Sequence, residues 1–102
     1  MVEVININDG VIVKISKSAT IECIAEVIEK IEAVQQLEIK GIQFDLRDVT
    51  KYDLCFLQFI FCLNKQCNHK NISMSFMELE KCSELSRISS IVGLDISRLA
   101  RV

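Results

Sequence analysis

Residues 49–63 read VTKYDLCFLQFIFCL, and this stretch decides which fold the chain can adopt. An almost unbroken apolar run with two cysteines follows Asp53, which is well placed to cap a helix running to about Gln66. The most apolar part, residues 54–63, is interrupted only by Gln58. A helix needs about 20 apolar residues to span a bilayer. The stretch therefore predicts a short helix of a folded domain and no membrane span.

Two strands and a helix are predicted before Gly41. Apolar residues alternate at positions 2, 4, 11, 13 and 15, and Asn8-Asp9-Gly10 between the two runs is a strong turn signal, so we expect a hairpin. Ser18 or Thr20 is then expected to cap a helix. Its apolar face is defined by residues at three- and four-residue spacing, namely Ile21, Ile24, Val27, Ile28, Ile31 and Val34.

The chain after Gly41 alternates between strand and helix patterns. IQFDL (42–46) and ISMSF (72–76) predict strands on either side of the apolar helix. A third helix is predicted from Glu80 to Val92 with Gly93 as its stop signal, and ISRLAR (96–101) predicts a short helical tail. The order β-β-α-β-α-β-α calls for parallel crossovers added to an N-terminal hairpin. The sequence thus predicts an α/β fold with a mixed sheet, as one domain over residues 1–102.

Composition narrows the classes of function. The formal net charge is −2 and the 12 Lys and Arg residues are scattered, which argues against a nucleic-acid partner. MVEVININDG carries acidic and polar residues where a signal peptide has an apolar core. The five cysteines form no C-x-x-C pair, so we expect reduced, mostly buried thiols in a cytoplasmic protein.

No catalytic, cofactor or metal site is predicted. Cys62, Cys67 and His69 form the best metal-ligand set, but zinc requires a fourth ligand that is not evident. His69, the only histidine, lies beyond the far end of the helix from Cys55, so that thiol lacks a nearby base. The three glycines form no phosphate-binding loop. These observations favour a protein that is not an enzyme.

The middle of the chain resembles a known family. The run FDLRDVTKYDLCFLQFIFCL (44–63), followed by a strand and SELSRISSIVGLD (83–95), resembles the STAS domain of bacterial anti-sigma-factor antagonists. Asp45-Leu46-Arg47-Asp48-Val49 matches the end of a family strand, Asp53 and Leu57 match the start of a helix, and Gly93-Leu94-Asp95 matches a later turn. The resemblance implies a STAS-like mixed sheet with helices packed on it. It also implies signalling by docking to a partner protein.

One departure from the family pattern concerns its regulatory site. The family carries a serine or threonine one or two residues after the aspartate, where a partner kinase phosphorylates it. Leu54 and Cys55 occupy these positions here, and neither has a hydroxyl group; Phe56 replaces the family's glycine. Thr50, three residues before Asp53, is the alternative acceptor. The sequence therefore predicts that the usual phosphorylation switch is missing.

Helical geometry leaves two interpretations of the apolar helix open. At about 100° per residue, Gln58 and Lys65 mark the polar side. Phe56, Phe59, Ile60 and Leu63 are expected to face the core, with Cys55 and Cys62 on its flank. Leu54 and Phe61 fall beside the polar pair. Either these two residues pack under neighbouring segments, or they form an exposed apolar patch, together with Tyr52, that contacts a protein.

These interpretations predict a regulatory interaction domain. The expected partner is an anti-sigma factor of the kinase type; the alternative is a cytoplasmic STAS subunit that binds the ATPase of a phospholipid-transporting ABC complex. A small-ligand binder and a homo-oligomer, such as a homodimer, are further alternatives. The predicted partner-binding residues are Thr50, Tyr52, Asp53, Leu54, Cys55, Gln58 and Phe61.

Overall fold

A computed structural model describes residues 2–35 and 39–78 together with Glu84, Leu85 and Arg87. The elements are β1 (Val2–Ile7), β2 (Gly10–Ala19), α1 (Ile21–Gln35), β3 (Gly41–Tyr52), α2 (Leu54–His69) and β4 (Ser73–Phe76). This order confirms the predicted elements from the hairpin to the fourth strand. Glu84, Leu85 and Arg87 are helical, as the third predicted helix requires. The end of that helix at Val92 and the helical tail lie outside the described residues.

The four strands form one mixed sheet in the order β1-β2-β3-β4. β1 pairs antiparallel with β2, whereas β2 with β3 and β3 with β4 pair in parallel. Because both parallel connections run in the same direction across the sheet and crossovers are right-handed, α1 and α2 lie on the same face. The contacts of α1 with α2 and with β2, and of α2 with β4, agree with this placement. The predicted α/β class with an N-terminal hairpin is confirmed.

The hydrophobic core lies between the sheet and these two helices. Alternate residues of each strand face the helices, as the two-residue period of a strand requires. The rings of Phe44 on β3 and Phe76 on β4 stack with their centroids 5.8 Å apart. Leu85 is also buried in this core. The fully buried side chains include Val11, Val13, Ile15, Val27, Ile42, Phe44, Leu46, Phe56, Leu57 and Ile60.

The predicted apolar face of α1 is wrong at two positions. Ile21 and Ile28 are exposed, whereas Cys23 is buried together with Val27 and Ile31. These three buried residues are four apart, so they form one line along the helix. The helix is therefore rotated relative to the face expected from its isoleucines, and Ile21 is left at the surface.

β3 is longer than the sequence analysis predicted. Its pairing with β2 runs from Gly10↔Gly41 to Ala19↔Tyr52, with two register shifts on the way. Residues 50–52, expected to form a loop, are therefore strand. A Cβ atom added to Gly10 would lie 2.4 Å from the carbonyl oxygen of Gly41, so this close approach of the two backbones requires glycine.

An ion-pair cluster joins β3 to the segment that follows β4. Arg47 donates from Nε to Oδ1 of Asp45 at 2.9 Å and from Nη2 to Oδ2 at 3.0 Å. Its Nη1 donates to Glu78. The guanidinium lowers the pKa of the buried Asp45 carboxyl, and the two carboxylates raise the pKa of Arg47. The Asp45–Arg47–Glu78 cluster thus compensates a buried charge with two-point hydrogen bonding.

Candidate functional site

Asp53 connects the first turns of both helices. It directly follows β3 in an extended conformation, and its Oδ1 accepts the backbone N–H of Phe56 at 2.9 Å. Its Oδ2 accepts the backbone N–H of Ile21, the first residue of α1, also at 2.9 Å. Helix N-termini carry unpaired N–H groups and a partial positive charge. One carboxylate therefore stabilises two helix N-termini; the predicted cap at α2 is confirmed, and α1 is held by Asp53 where Ser18 or Thr20 was expected.

Exposed apolar residues lie on either side of this carboxylate. Ile21 is 60% exposed and Leu54 is 46% exposed, and these are the first residues of α1 and α2. Cys55 and Gln58 continue the exposed side of α2. We call these four residues, with Asp53, the Asp53 surface. Grouped exposed apolar side chains are typical of protein contact sites.

Thr50 lies near the Asp53 surface at the end of β3. Its exposed hydroxyl donates to the backbone carbonyl of Lys17 at 3.2 Å. Lys17 adopts a left-handed conformation with φ of 70°, at a register shift between β2 and β3. Lys17 and Lys51 are both exposed. This end of the β2–β3 ladder therefore places two cations and a hydroxyl beside the start of the helices.

Tyr52 does not belong to an exposed patch, contrary to one of the two interpretations of α2. Its side chain is buried, and its ring lies 6.3 Å from that of Phe56 in a tilted arrangement. Its hydroxyl donates to the carbonyl of Leu46 at 3.4 Å. Because β3 continues as a strand through Tyr52, this residue faces the core while Lys51 faces out. Tyr52 supports the Asp53 surface from inside the fold.

The buried side of α2 differs in part from the predicted one. Leu57 is fully buried, although the helical projection did not assign it to the core, whereas Phe59 is only half-buried. Phe61 is half-buried and packs against the core, so it contributes only part of its ring to the surface. Leu54 is the fully apolar side chain of α2 that the structure leaves exposed. The buried residues of the helix are Phe56, Leu57, Ile60, Leu63 and Cys67.

The cysteines divide into two pairs. Cys23 and Cys67 are buried, and their burial raises the pKa of both thiols. Cys55 and Cys62 are exposed, so the expectation of mostly buried thiols is wrong for this pair. None of the four forms a disulfide in the described part of the chain. Cys82 lies outside the described residues.

The candidate metal ligands do not converge. Cys62 and Cys67 are five residues apart, which separates them by about 140° around a helix. Consistent with this, one is exposed and the other buried. Within residues 2–35 and 39–78, no three His, Cys, Asp or Glu side chains are grouped so that they could hold a metal ion. None of the helices in the described part of the chain is long and apolar enough to cross a bilayer.

A cleft of about 600 Å³ separates the outer sides of α1 and α2. Ile28, Ile31, Phe59 and Leu63 form its apolar lining, and Glu32 lies on its exposed rim. Ligand sites of this size usually contain a few polar groups that converge on the ligand. The cleft is also lined by Cys62, Gln66, His69 and Lys70, which are exposed.

The described fold is that of a STAS-like α/β domain. The solved structure of the anti-sigma factor antagonist SpoIIAA in its unphosphorylated form is similar to this fold, with a TM-score of 0.67 over 76% of this chain and 73% of that chain. The two sequences are 9% identical, so the shared property is the fold. No family model and no curated protein matches the sequence. The STAS-like fold that the middle of the chain implied is therefore confirmed.

Proposed function

We propose that this chain is a non-enzymatic regulatory domain that binds a partner protein through the Asp53 surface. The observation that supports this function is the exposure of Ile21 and Leu54 on either side of a carboxylate that fixes both helices. An apolar pair on a rigid support suits protein docking, because little conformational entropy is lost on binding. The partner is an anti-sigma factor, the class of protein that an antagonist with this fold opposes.

Docking by this domain is not switched by phosphorylation at the start of α2. Leu54 and Cys55 are the first two residues of that helix and offer no hydroxyl group. A phosphate there would add nearly two negative charges beside the Asp53 carboxylate. The exposed hydroxyl of Thr50 already donates to the Lys17 carbonyl. Binding is therefore constitutive and depends on the abundance of the partner.

Calorimetric titration with purified partners tests this function. The partners are the anti-sigma factors of the kinase type encoded by the same genome, and the ABC-transporter ATPases form a second arm for the alternative partner class. Leu54→Glu and Ile21→Glu are each expected to weaken binding at least about tenfold, the effect of losing roughly 1.4 kcal/mol. Ile28→Glu is the matched control, because Ile28 is 40% exposed but lies along α1 at the cleft.

The outcomes separate the alternatives. Saturable binding to an anti-sigma factor, lost in the Leu54 variant and kept in the Ile28 variant, supports the function. Binding to an ATPase alone with the same variant pattern would keep the docking surface and change the partner class. If no partner binds, or if all three variants behave alike, the Asp53 surface is not the docking site. A Thr50→Val variant that binds normally would support constitutive docking.

A further inference from the structure

Strand β1 forms one edge of the sheet. Among the described residues it pairs with β2 alone, in an unbroken register from Val2↔Ile15 to Ile7↔Gly10. In an antiparallel pair, alternate residues direct their N–H and C=O groups away from the partner strand. The outer side of β1 therefore presents a row of backbone donors and acceptors to which another extended strand can bind.

The side chains of β1 give this edge an apolar strip. Val4 lies opposite Val13 and faces the core, so the odd-numbered residues of β1 lie on the sheet face remote from the helices. On that face Ile5 is 45% exposed and Ile7 is 46% exposed. Ile12 of β2, the partner of Ile5, is half-buried and extends the strip inward. Two large exposed isoleucines thus border an unpaired strand edge.

β1 lacks the features that usually protect an edge strand. Edges are commonly blocked by lysine, proline, bulges or short length. β1 has six residues, and its only charged residue is Glu3. The register shifts of this sheet fall between β2 and β3 and leave β1 regular. At the other end of the described sheet, β4 has four residues and places Ser73 and Ser75 on the remote face.

We propose that β1 is a self-association edge, at which a second copy of this chain pairs antiparallel through a two-fold axis near Ile5. This axis places Ile5 opposite Ile5 of the copy and Ile7 opposite Glu3, with all of them on the remote face. In this register no two like charges lie directly opposite each other. Such opposed like charges would be unfavourable. Shifting the axis to Asn6 would place Glu3 opposite Asp9 of the copy. The pairing joins two four-stranded sheets into one and covers the isoleucines of both copies.

A second copy fits this edge because the strip is complementary to itself. The same two isoleucines supply both sides of the new contact, and residues 3–7 of one strand pair with residues 7–3 of the other. The edge lies across the sheet from β4. β1 lies outside the Asp53 surface, so pairing at this edge does not depend on the proposed function.

Light scattering after size exclusion tests the pairing over about 1 to 500 µM protein, because a dimer depends on concentration. The wild-type protein is expected to reach twice the chain mass. Ile5→Lys and Ile7→Lys are expected to return it to the chain mass, since each adds a charge to the strip. Ile21→Lys is the matched control, an isoleucine that is even more exposed but lies at the start of α1. Circular dichroism shows that each variant remains folded.

Disulfide trapping tests the position of the two-fold axis without a destabilising charge. It uses a chain with Cys55→Ser, Cys62→Ser and Cys82→Ser, to remove competing thiols. Ile5→Cys is expected to crosslink to its copy, because directly opposed residues have Cα atoms about 4.5–5.5 Å apart. Glu3→Cys is not expected to crosslink to its copy, because the two copies of residue 3 lie on opposite sides of the axis. A wild-type protein that stays at the chain mass throughout, or a dimer that Ile5→Lys leaves intact, overturns the proposal.

Discussion

The backbone N–H of Ile21 donates to Oδ2 of Asp53 at 2.9 Å, although 32 residues separate them along the chain. The other carboxylate oxygen accepts the N–H of Phe56. A single side chain therefore fixes where α1 and α2 begin relative to each other. It also holds Ile21 near Leu54, which makes Asp53 a positioning residue of the proposed docking surface.

Replacing Asp53 is expected to destabilise both helix N-termini. Asp53→Ala should lower the free energy of unfolding by about 2 kcal/mol, because each lost cap costs about 1 kcal/mol. The unfolding free energy of Asp53→Asn should fall between those of the wild type and Asp53→Ala, because the single amide oxygen of asparagine replaces only one of the two acceptors. Urea denaturation followed by circular dichroism measures both.

Asp48→Ala is the control for this prediction. Its carboxylate is largely exposed and lies 3.6 Å from the ammonium group of Lys14. Exposed ion pairs of this kind contribute at most about 1 kcal/mol. Equal losses in the Asp48 and Asp53 variants would contradict the double cap.

Gly10→Ala should be strongly destabilising, and Gly41→Ala should not. The new Cβ at position 10 would meet the Gly41 carbonyl oxygen at 2.4 Å, so the two backbones must move apart. Such overpacking costs about 1–3 kcal/mol. At position 41 the nearest atom, the carbonyl oxygen of Ser73, lies at an ordinary 3.5 Å. Midpoints of thermal unfolding compare the two variants, and similar values would contradict the close approach of β2 and β3.

The stabilising effect of Asp45 should depend on pH. Hydrogen bonding to Arg47 lowers the pKa of the Asp45 carboxyl below that of an unfolded aspartate, which is about 3.9. Its contribution is therefore present at neutral pH and is lost as the pH falls below about 4 through the folded-state pKa. The difference in unfolding free energy between wild type and Asp45→Asn should be largest near pH 7 and shrink in acid. Denaturation series at several pH values measure this difference in unfolding free energy. A difference that does not change with pH would contradict a lowered pKa of Asp45 in the folded protein.

The thiols should react at two different rates. In a Cys82→Ser background, Cys55 and Cys62 are expected to react rapidly with a disulfide reagent because they are exposed. Cys23 and Cys67 should react slowly, because burial both shields them and raises the pKa of their thiols. Mass spectrometry of labelled peptides identifies the rapid pair. Rapid labelling of Cys23 in the folded protein would contradict the packing of α1.

Local pattern predicted most of the described fold. The turn at Asn8-Asp9, the alternation in β2 and the apolar run after Asp53 each report directly on burial or turn geometry, and the structure contains all three elements. The end of β3 was missed. Thr50 and Tyr52 are typical strand residues, whereas the resemblance to the family predicts a loop at this point.

The composition of the candidate site was less predictable because it depends on contacts between distant residues. The exposure of Ile21 follows from how α1 rotates on the sheet, and the helical period of its isoleucines pointed to the core instead. The bond from Ile21 to Asp53 has no local signature at all. Leu54 is exposed, as one of the two interpretations of α2 requires, and its role in partner binding stays a prediction.

The long pairing of β2 with β3 also determines when the proposed binding face forms during folding. Residues in register on these parallel strands, such as Lys14 and Asp45, are separated by the whole of α1. Contacts of such high sequence separation form slowly, because a long loop must close first. Asp53 reaches Ile21 only after this closure. A chain still being synthesised, or one that is partly unfolded, therefore has no assembled binding face, and partner affinity reports on completed folding.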